Sequence, residues 1–395
     1  MNITDNPLKK KPNKKRRVYR NRTVMILSLV LAIVLSVLFL QEFVLGNLNH
    51  NNERVRGFYL EDENSIDVVT IGSSEVYCAF APGLNYKECG FTSYPFATEG
   101  NTVRNFKAMY KEMMRTQDPK LIVIEINGAL YSDKNIAREA NLRRVSDNIP
   151  LNENKVELVD EWVTENKIEY YAPFIKYHGT WDKLPTTIGW TFTLLQERFR
   201  GYSLLKGVKN FNEIYVTGSK VYAKESSALK VRKPLFSEAD KNLKEFLDFL
   251  KEEGVSRDKI LFVRFPHVIT NANLSRYQRG NTIGDTVRRY GYNFVSFEMD
   301  DEDINLDPYK DFYNIEHMNI YGQQKFSKFF AHYLQDNYDI TPTSLTAKQK
   351  AEWDEAARWY DAYAAYNIDL IEKGEKKREI SESYFIMQEI KKYLK

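Results

Sequence analysis

The start of the chain constrains it most. Residues 24–40 form a run of 17 uncharged, mostly apolar residues (VMILSLVLAIVLSVLFL), and Phe43-Val44-Leu45 extends it past Gln41-Glu42. At 1.5 Å per residue, 17–22 helical residues cover about 25–33 Å, matching a hydrocarbon core of about 30 Å. Residues 1–22 carry nine Lys/Arg against one Asp, or +8, which leaves the other 373 residues at −5 of the net +3. A basic flank is expected on the cytoplasmic side of a span. A cleaved signal peptide has a shorter apolar region and a small-residue cleavage site; here Gln41-Glu42-Phe43-Val44-Leu45-Gly46 follows. The reading is an uncleaved single-pass anchor in the cell membrane, with the amino terminus cytoplasmic and the body extracellular. The mildly acidic body excludes nucleic acid as its main partner, since phosphate binding needs a basic surface.

The expected organisation is a basic tail (1–23), an anchor (24–45), a polar tether (46–64), an exported domain (65–340) and a helical extension (341–395). In the domain, short β-branched runs at 67–71, 92–96, 121–126, 260–265 and 293–297 read as buried strands. Helical spacing marks 103–115, 237–253, 273–290 and 321–334 between or after them. Such alternation predicts an α/β fold with a mainly parallel sheet covered on both faces. Residues 140–230 break the rhythm with Trp162, Tyr170, Tyr171, Trp181 and Trp190, and read as a helical, aromatic-rich insertion. Thr346-Ala347-Lys348-Gln349 fits a capping box opening the extension.

Parallel sheets bind ligands at the carboxyl ends of their strands. The first such end reads Gly72-Ser73-Ser74-Glu75, a small turn that presents a hydroxyl beside backbone N–H groups. Far downstream, Asp311-Phe312-Tyr313-Asn314-Ile315-Glu316-His317-Met318-Asn319 lies just before the last helix of the domain. A nucleophilic serine needs an imidazole, and the imidazole needs an acceptor to hold its tautomer. His317 meets the first need, with His178 and His267 as rivals. No phosphate loop, dinucleotide fingerprint or His-Glu-x-x-His pair occurs, so no cofactor and no metal are expected. Cys78 and Cys89 suit either a disulfide or two separate thiols.

Gly72-Ser73-Ser74, the run Asn314-Ile315-Glu316-His317-Met318-Asn319 with Gly322, and the anchor together resemble the SGNH (GDSL-type) hydrolase superfamily. The form is similar to its membrane-anchored branch of DltD-like teichoic acid D-alanyl transfer proteins and polysaccharide O-acyltransferases, and Lys176-Tyr177-His178-Gly179-Thr180-Trp181 adds to that likeness. The resemblance covers residues 60–335 and implies a flavodoxin-like three-layer sandwich. It implies Ser74 as nucleophile and His317 as general base. Asn314 stands where the family has an orienting Asp, and Asp311 and Glu316 are the alternative acceptors. Ser74 and Gly100 would supply oxyanion N–H groups, with Asn127 a further candidate; Asn101 and His178 would touch substrate. The implied activity is serine-dependent acyl transfer or ester hydrolysis on cell-envelope or extracellular polysaccharide. The acceptor would be that polysaccharide or a teichoic acid-like polymer, and the donor a membrane-embedded acyl-carrying partner. The alternative is an inactive, glycan-binding or assembly protein of the same fold, using the aromatic insertion as its platform.

Overall fold

The computed structural model describes residues 14–44, 50–177, 184–215, 218–298, 301–375 and 384–395. Five strands, β1 (Val68–Gly72), β2 (Ser93–Ala97), β3 (Leu121–Glu125), β4 (Ile260–Arg264) and β5 (Asn293–Ser296), lie in the order β2-β1-β3-β4-β5. Every pair is parallel. This is the order of a flavodoxin-like doubly wound sheet, in which the crevice lies between the carboxyl ends of β1 and β3, where the winding reverses.

The strands are apolar because both faces are covered. Val69, Ile71, Ile122, Ile124, Ile260 and Phe262 meet the helices Phe106–Met114, Ser237–Glu252 and Leu274–Arg289. The alternate residues Val68, Leu121, Val123, Leu261 and Val263 meet Ser74–Ala79 and Ile320–Asn337. Alternation along each strand therefore divides one run of hydrophobic residues between two layers. A third cluster joins the helices Pro82–Cys89, Ala347–Glu372 and Tyr384–Ile390 through Leu84, Tyr360, Tyr363, Leu370 and Ile386. The 82–89 and 347–372 helices touch backbone to backbone at Gly83, where a Cβ would stand 2.9 Å from the Ala356 carbonyl oxygen. Thr346 and Gln349 form the capping box, each side chain taking the other's backbone N–H, at 3.2 and 2.9 Å.

Between β3 and β4 the chain forms the helices Glu139–Ser146, Glu153–Trp162 and Leu184–Arg200 with shorter turns between them. Tyr170 and Trp190 are buried, and Trp162 and Tyr171 pack against the main core, so these aromatics are core residues rather than a glycan platform. Trp181 lies outside the described residues. Among the described residues one helix, over Asn21–Phe43, is long and apolar enough to cross a membrane, and its apolar side chains from Val24 to Leu40 are exposed.

The tether expected at 46–64 is corrected by the structure. His50–Phe58 is a helix whose Val55 and Phe58 are fully buried. Phe58 stacks on Phe96 of β2 with centroids 4.4 Å apart, and the Arg54 guanidinium lies 3.6 Å over the Tyr77 ring. Just beyond, Glu61 and Lys206 form a buried ion pair at 2.7 Å. This stretch is part of the fold. Phe58→Ala should lower stability by about 3–5 kcal/mol. Comparing urea denaturation of wild type and variant checks it, and a change within error would return the segment to the role of tether.

Candidate active site

β1 ends at Gly72 because nothing larger fits. A Cβ there would lie 2.5 Å from Val76 Cγ2 and 2.8 Å from Glu125 Cβ, so the turn packs directly on β3. Ser73 is extended, and the helix Ser74–Ala79 begins with Ser74, whose N–H therefore has no intrahelical acceptor. The histidine loop is closed by a bridge between Phe312 and Met318 and by Tyr313 N–H donating to the His317 carbonyl at 2.8 Å. Asn319 then caps the helix Ile320–Asn337, its Oδ1 accepting from the N–H groups of Tyr321 and Gly322.

These two loops, 243 residues apart, bring Ser74 Oγ to 2.7 Å from His317 Nε2. On the other side of the ring, His317 Nδ1 lies 3.0 Å from Asn314 Oδ1. The same oxygen accepts from the backbone N–H groups of Glu316 and His317, both at 2.8 Å. Three donors converge on it, which fixes the amide with its oxygen towards the ring. Nδ1 then carries the proton, and Nε2 is the lone pair facing Ser74. Burial lowers the His317 pKa, and the pull of Glu75 and Glu316 the other way does not cancel it. A neutral imidazole at neutral pH is the form that takes a serine proton. Phe211 and Tyr313, stacked 4.0 Å apart, wall the ring's flank, with the Phe211 centroid 5.9 Å from that of His317.

Several other expectations are corrected. Asp311 does not reach His317: its Oδ2 accepts from Lys325 Nζ at 2.7 Å and from the Asp307 N–H at 2.8 Å, which anchors the base of the loop. Glu316 turns away to pair with Arg276. Gly100, expected as a second oxyanion donor, has a positive φ of 59°, and a Cβ there would meet Asn141 and Arg144; its N–H stays a candidate for that role. Asn101 is fully buried, donating to the Gly72 carbonyl at 2.9 Å, so it positions the β1 turn rather than meeting a substrate. Asn127 gives its amide N–H to Ser73 Oγ at 3.0 Å, so it holds the turn before the nucleophile. His178 lies outside the described residues. Cys78 and Cys89 are not joined in a disulfide.

Sequence reasoning missed what lies beneath the site. Arg264, at the end of β4, is buried 3.2 Å from Glu75, 3.5 Å from Glu125 and 3.0 Å from Glu298, and donates to Asn127 Oδ1 at 3.0 Å. His267 stands 3.0 Å from Glu75 and 3.2 Å from Glu298. Arg276 reaches Asn127 Oδ1 from a second side. Burial would raise the Glu75 pKa, but His267 and Arg264 outweigh it and hold the carboxylate well below its usual range. Glu125 moves the opposite way, because burial and the Glu75 charge both favour its protonated form. The signal in the sequence is a charged residue closing two of the apolar strands, Leu121-Ile122-Val123-Ile124-Glu125 and Ile260-Leu261-Phe262-Val263-Arg264.

No protein-family model matches the chain, and no curated protein matches it. The site itself is a serine on a histidine, the histidine on an amide oxygen, and a buried network of ion pairs below.

Burial and Arg264 press the His267 pKa down, yet Glu75 and Glu298 outweigh them and raise it to about 9. A pKa raised above the ordinary value of about 6.5 stabilises the fold fully below that pH, and the contribution is lost as pH rises through about 9. Urea midpoints measured across this window should fall for wild type. His267→Gln should be less stable below about pH 6.5 and should show a flatter profile above it. Parallel profiles would place the titration elsewhere.

Proposed function

We propose that this protein is an SGNH-like serine acyltransferase or esterase, anchored by its first helix with the body outside the cytoplasm. The observation that carries the reading is the Ser74–His317–Asn314 relay at the carboxyl end of β1. Ser74 Oγ attacks the carbonyl carbon of an acyl ester or thioester while His317 Nε2 takes its proton. The Ser74 N–H, unpaired at the helix start, faces the developing oxyanion. As the tetrahedral species collapses, His317 returns the proton to the departing oxygen or sulfur, leaving an acyl-serine. A second hydroxyl then enters, gives its proton to His317 and carries the acyl group away. Water as that acceptor makes an esterase; a hydroxyl of a cell-envelope or extracellular polysaccharide, or of a teichoic acid-like polymer, makes a transferase. The anchor favours transfer, because it holds the site near a membrane-embedded acyl donor.

Asn314 departs from the acidic residue of the resembled family. Its oxygen orients the imidazole but supplies no charge for the imidazolium that forms in the transition state. With the full chain in detergent micelles, a fluorophosphonate should label wild type and leave folded Ser74→Ala unlabelled. Equal labelling of the two would refute Ser74 as nucleophile, with Ser73 next in line. Asn314→Asp should raise hydrolysis of a small acetyl ester by more than about tenfold; the loss of about 10⁴ when a serine protease triad loses its charge sets the upper bound. The same change should move the acid limb of kcat/KM to higher pH, because a carboxylate raises the His317 pKa above its burial-lowered value. Asp311→Asn should leave the pH profile in place, since Asp311 faces Lys325. A profile that moves with Asp311 instead would overturn the assignment of Asn314.

A further inference from the structure

The helix Leu184–Arg200 turns one face inward with Trp190 and Leu194 buried. Its other face is apolar and carries large side chains with substantial exposed surface. Ile188, Phe192 and Phe199 are 46%, 50% and 89% exposed, and half-buried Leu195 lies between the last two. At roughly 100° per residue these four positions fall within an arc of about 60°, one continuous stripe. Polar residues occupy the neighbouring exposed positions, Gln196 and Arg198. Such a stripe on a folded body needs a cover.

Its place in the fold identifies the cover. Thr191 Oγ1 donates to the Phe43 carbonyl at the end of the apolar first helix, and Arg56 donates to the Glu42 carbonyl at 2.7 Å and pairs with the Glu42 carboxylate at 2.9 Å. The first helix thus leaves its apolar stretch directly against the 184–200 helix. Thr191 sits only about 70° around that helix from the centre of the stripe. Over Asn21–Phe43 the apolar helix is about 35 Å long against a hydrocarbon core of about 30 Å, so its last turn emerges at the interface. Leu151, 67% exposed, lines the same hollow as Phe43, Leu194 and Arg198 and adds apolar surface there.

We infer that the 184–200 helix is a second, interfacial membrane contact, laying Ile188, Phe192, Leu195 and Phe199 into the outer leaflet beside the anchor, with Arg198 at the phosphate level. The inference rests on reading the first helix as a membrane span. A stripe of large apolar side chains flanked by basic residues is the composition of an in-plane helix. The occupant is the bilayer because the stripe continues the apolar surface of the span.

The test uses the full chain in vesicles of phosphatidylcholine and phosphatidylglycerol. In a Cys89→Ser background, with Cys78 buried, single cysteines at Phe192→Cys, Phe199→Cys, Val30→Cys and Lys241→Cys carry an environment-sensitive fluorophore. Labels at 192 and 199 should emit blue-shifted relative to 241. Lipids with a spin label near the headgroup should quench them several-fold more than 241, while the label at 30 responds best to a deeply placed quencher. Deep quenching at 30 without quenching at 192 and 199 overturns the interfacial helix and leaves the anchor standing. Shielding of 192 and 199 from aqueous iodide without lipid quenching also overturns it, in favour of a protein partner. No lipid quenching at 30 overturns the anchor reading, and the inference with it.

Discussion

The buried guanidinium of Arg264 ties the carboxyl edge of the sheet together. An arginine stays charged in any protein environment, so burying it requires carboxylates and hydrogen-bond acceptors at close range. They come from every strand end around it: Glu75 after β1, Glu125 and Asn127 at β3, and Glu298 after β5. The winding of a parallel sheet already gathers these ends at one edge. Arg264 turns that edge from a place where loops meet into a fixed frame. Removing one partner would strand a charge in the interior, which costs about 3–5 kcal/mol in comparable buried pairs.

The reactive groups stand on this frame at one remove. Ser74 is the chain neighbour of Glu75, and Asn127, held by Arg264 and Arg276, grips the hydroxyl of Ser73 on its other side. Ser74 is thus fixed from both flanks without spending its own hydroxyl, which is left for His317. The histidine is fixed differently, by its own loop. Asn314 closes a turn by accepting the N–H groups of Glu316 and His317, and the oxygen that makes the turn is the one that meets Nδ1. An amide does this without adding a charge beside Glu316, whose carboxylate is already matched by Arg276.

What could be read from the sequence follows from the range of the interactions involved. The five strands were legible because each is a continuous apolar run whose covering helices follow at close spacing. Ser74 and His317 were legible as a pair because topology, not local sequence, brings strand ends together. The choice between Asn314 and Asp311 was not, since both lie within one loop of His317 and only the turn shows which oxygen faces the ring. Glu75 and Arg264 are 189 residues apart, and nothing local marks them as partners. Residues 50–58 misled for a compositional reason: five polar or charged residues open the segment, yet Val55 and Phe58, one helical turn apart, carry its burial.

One stretch of chain relates the site to the apolar first helix. The helix 184–200 abuts the end of that first helix at Phe43. Beyond it Lys206 enters its buried pair with Glu61, Lys209 N–H donates to the Tyr77 carbonyl at 3.0 Å, Phe211 meets His317, and Tyr215 N–H donates to the Phe312 carbonyl at 2.8 Å. From Arg200 to Phe211 is eleven residues, and a fully extended chain spans at most about 3.6 Å per residue. Phe211, against the His317 ring, therefore lies within about 40 Å of the 184–200 helix, and closer where the segment folds back to bury Leu204 and Leu205. Under the proposed acyl-transfer reading, a reach of that size suits an acyl group carried on a membrane-bound donor and an acceptor polymer close above the bilayer. It places any acceptor that needs a longer span out of range unless the polymer itself comes down to the site.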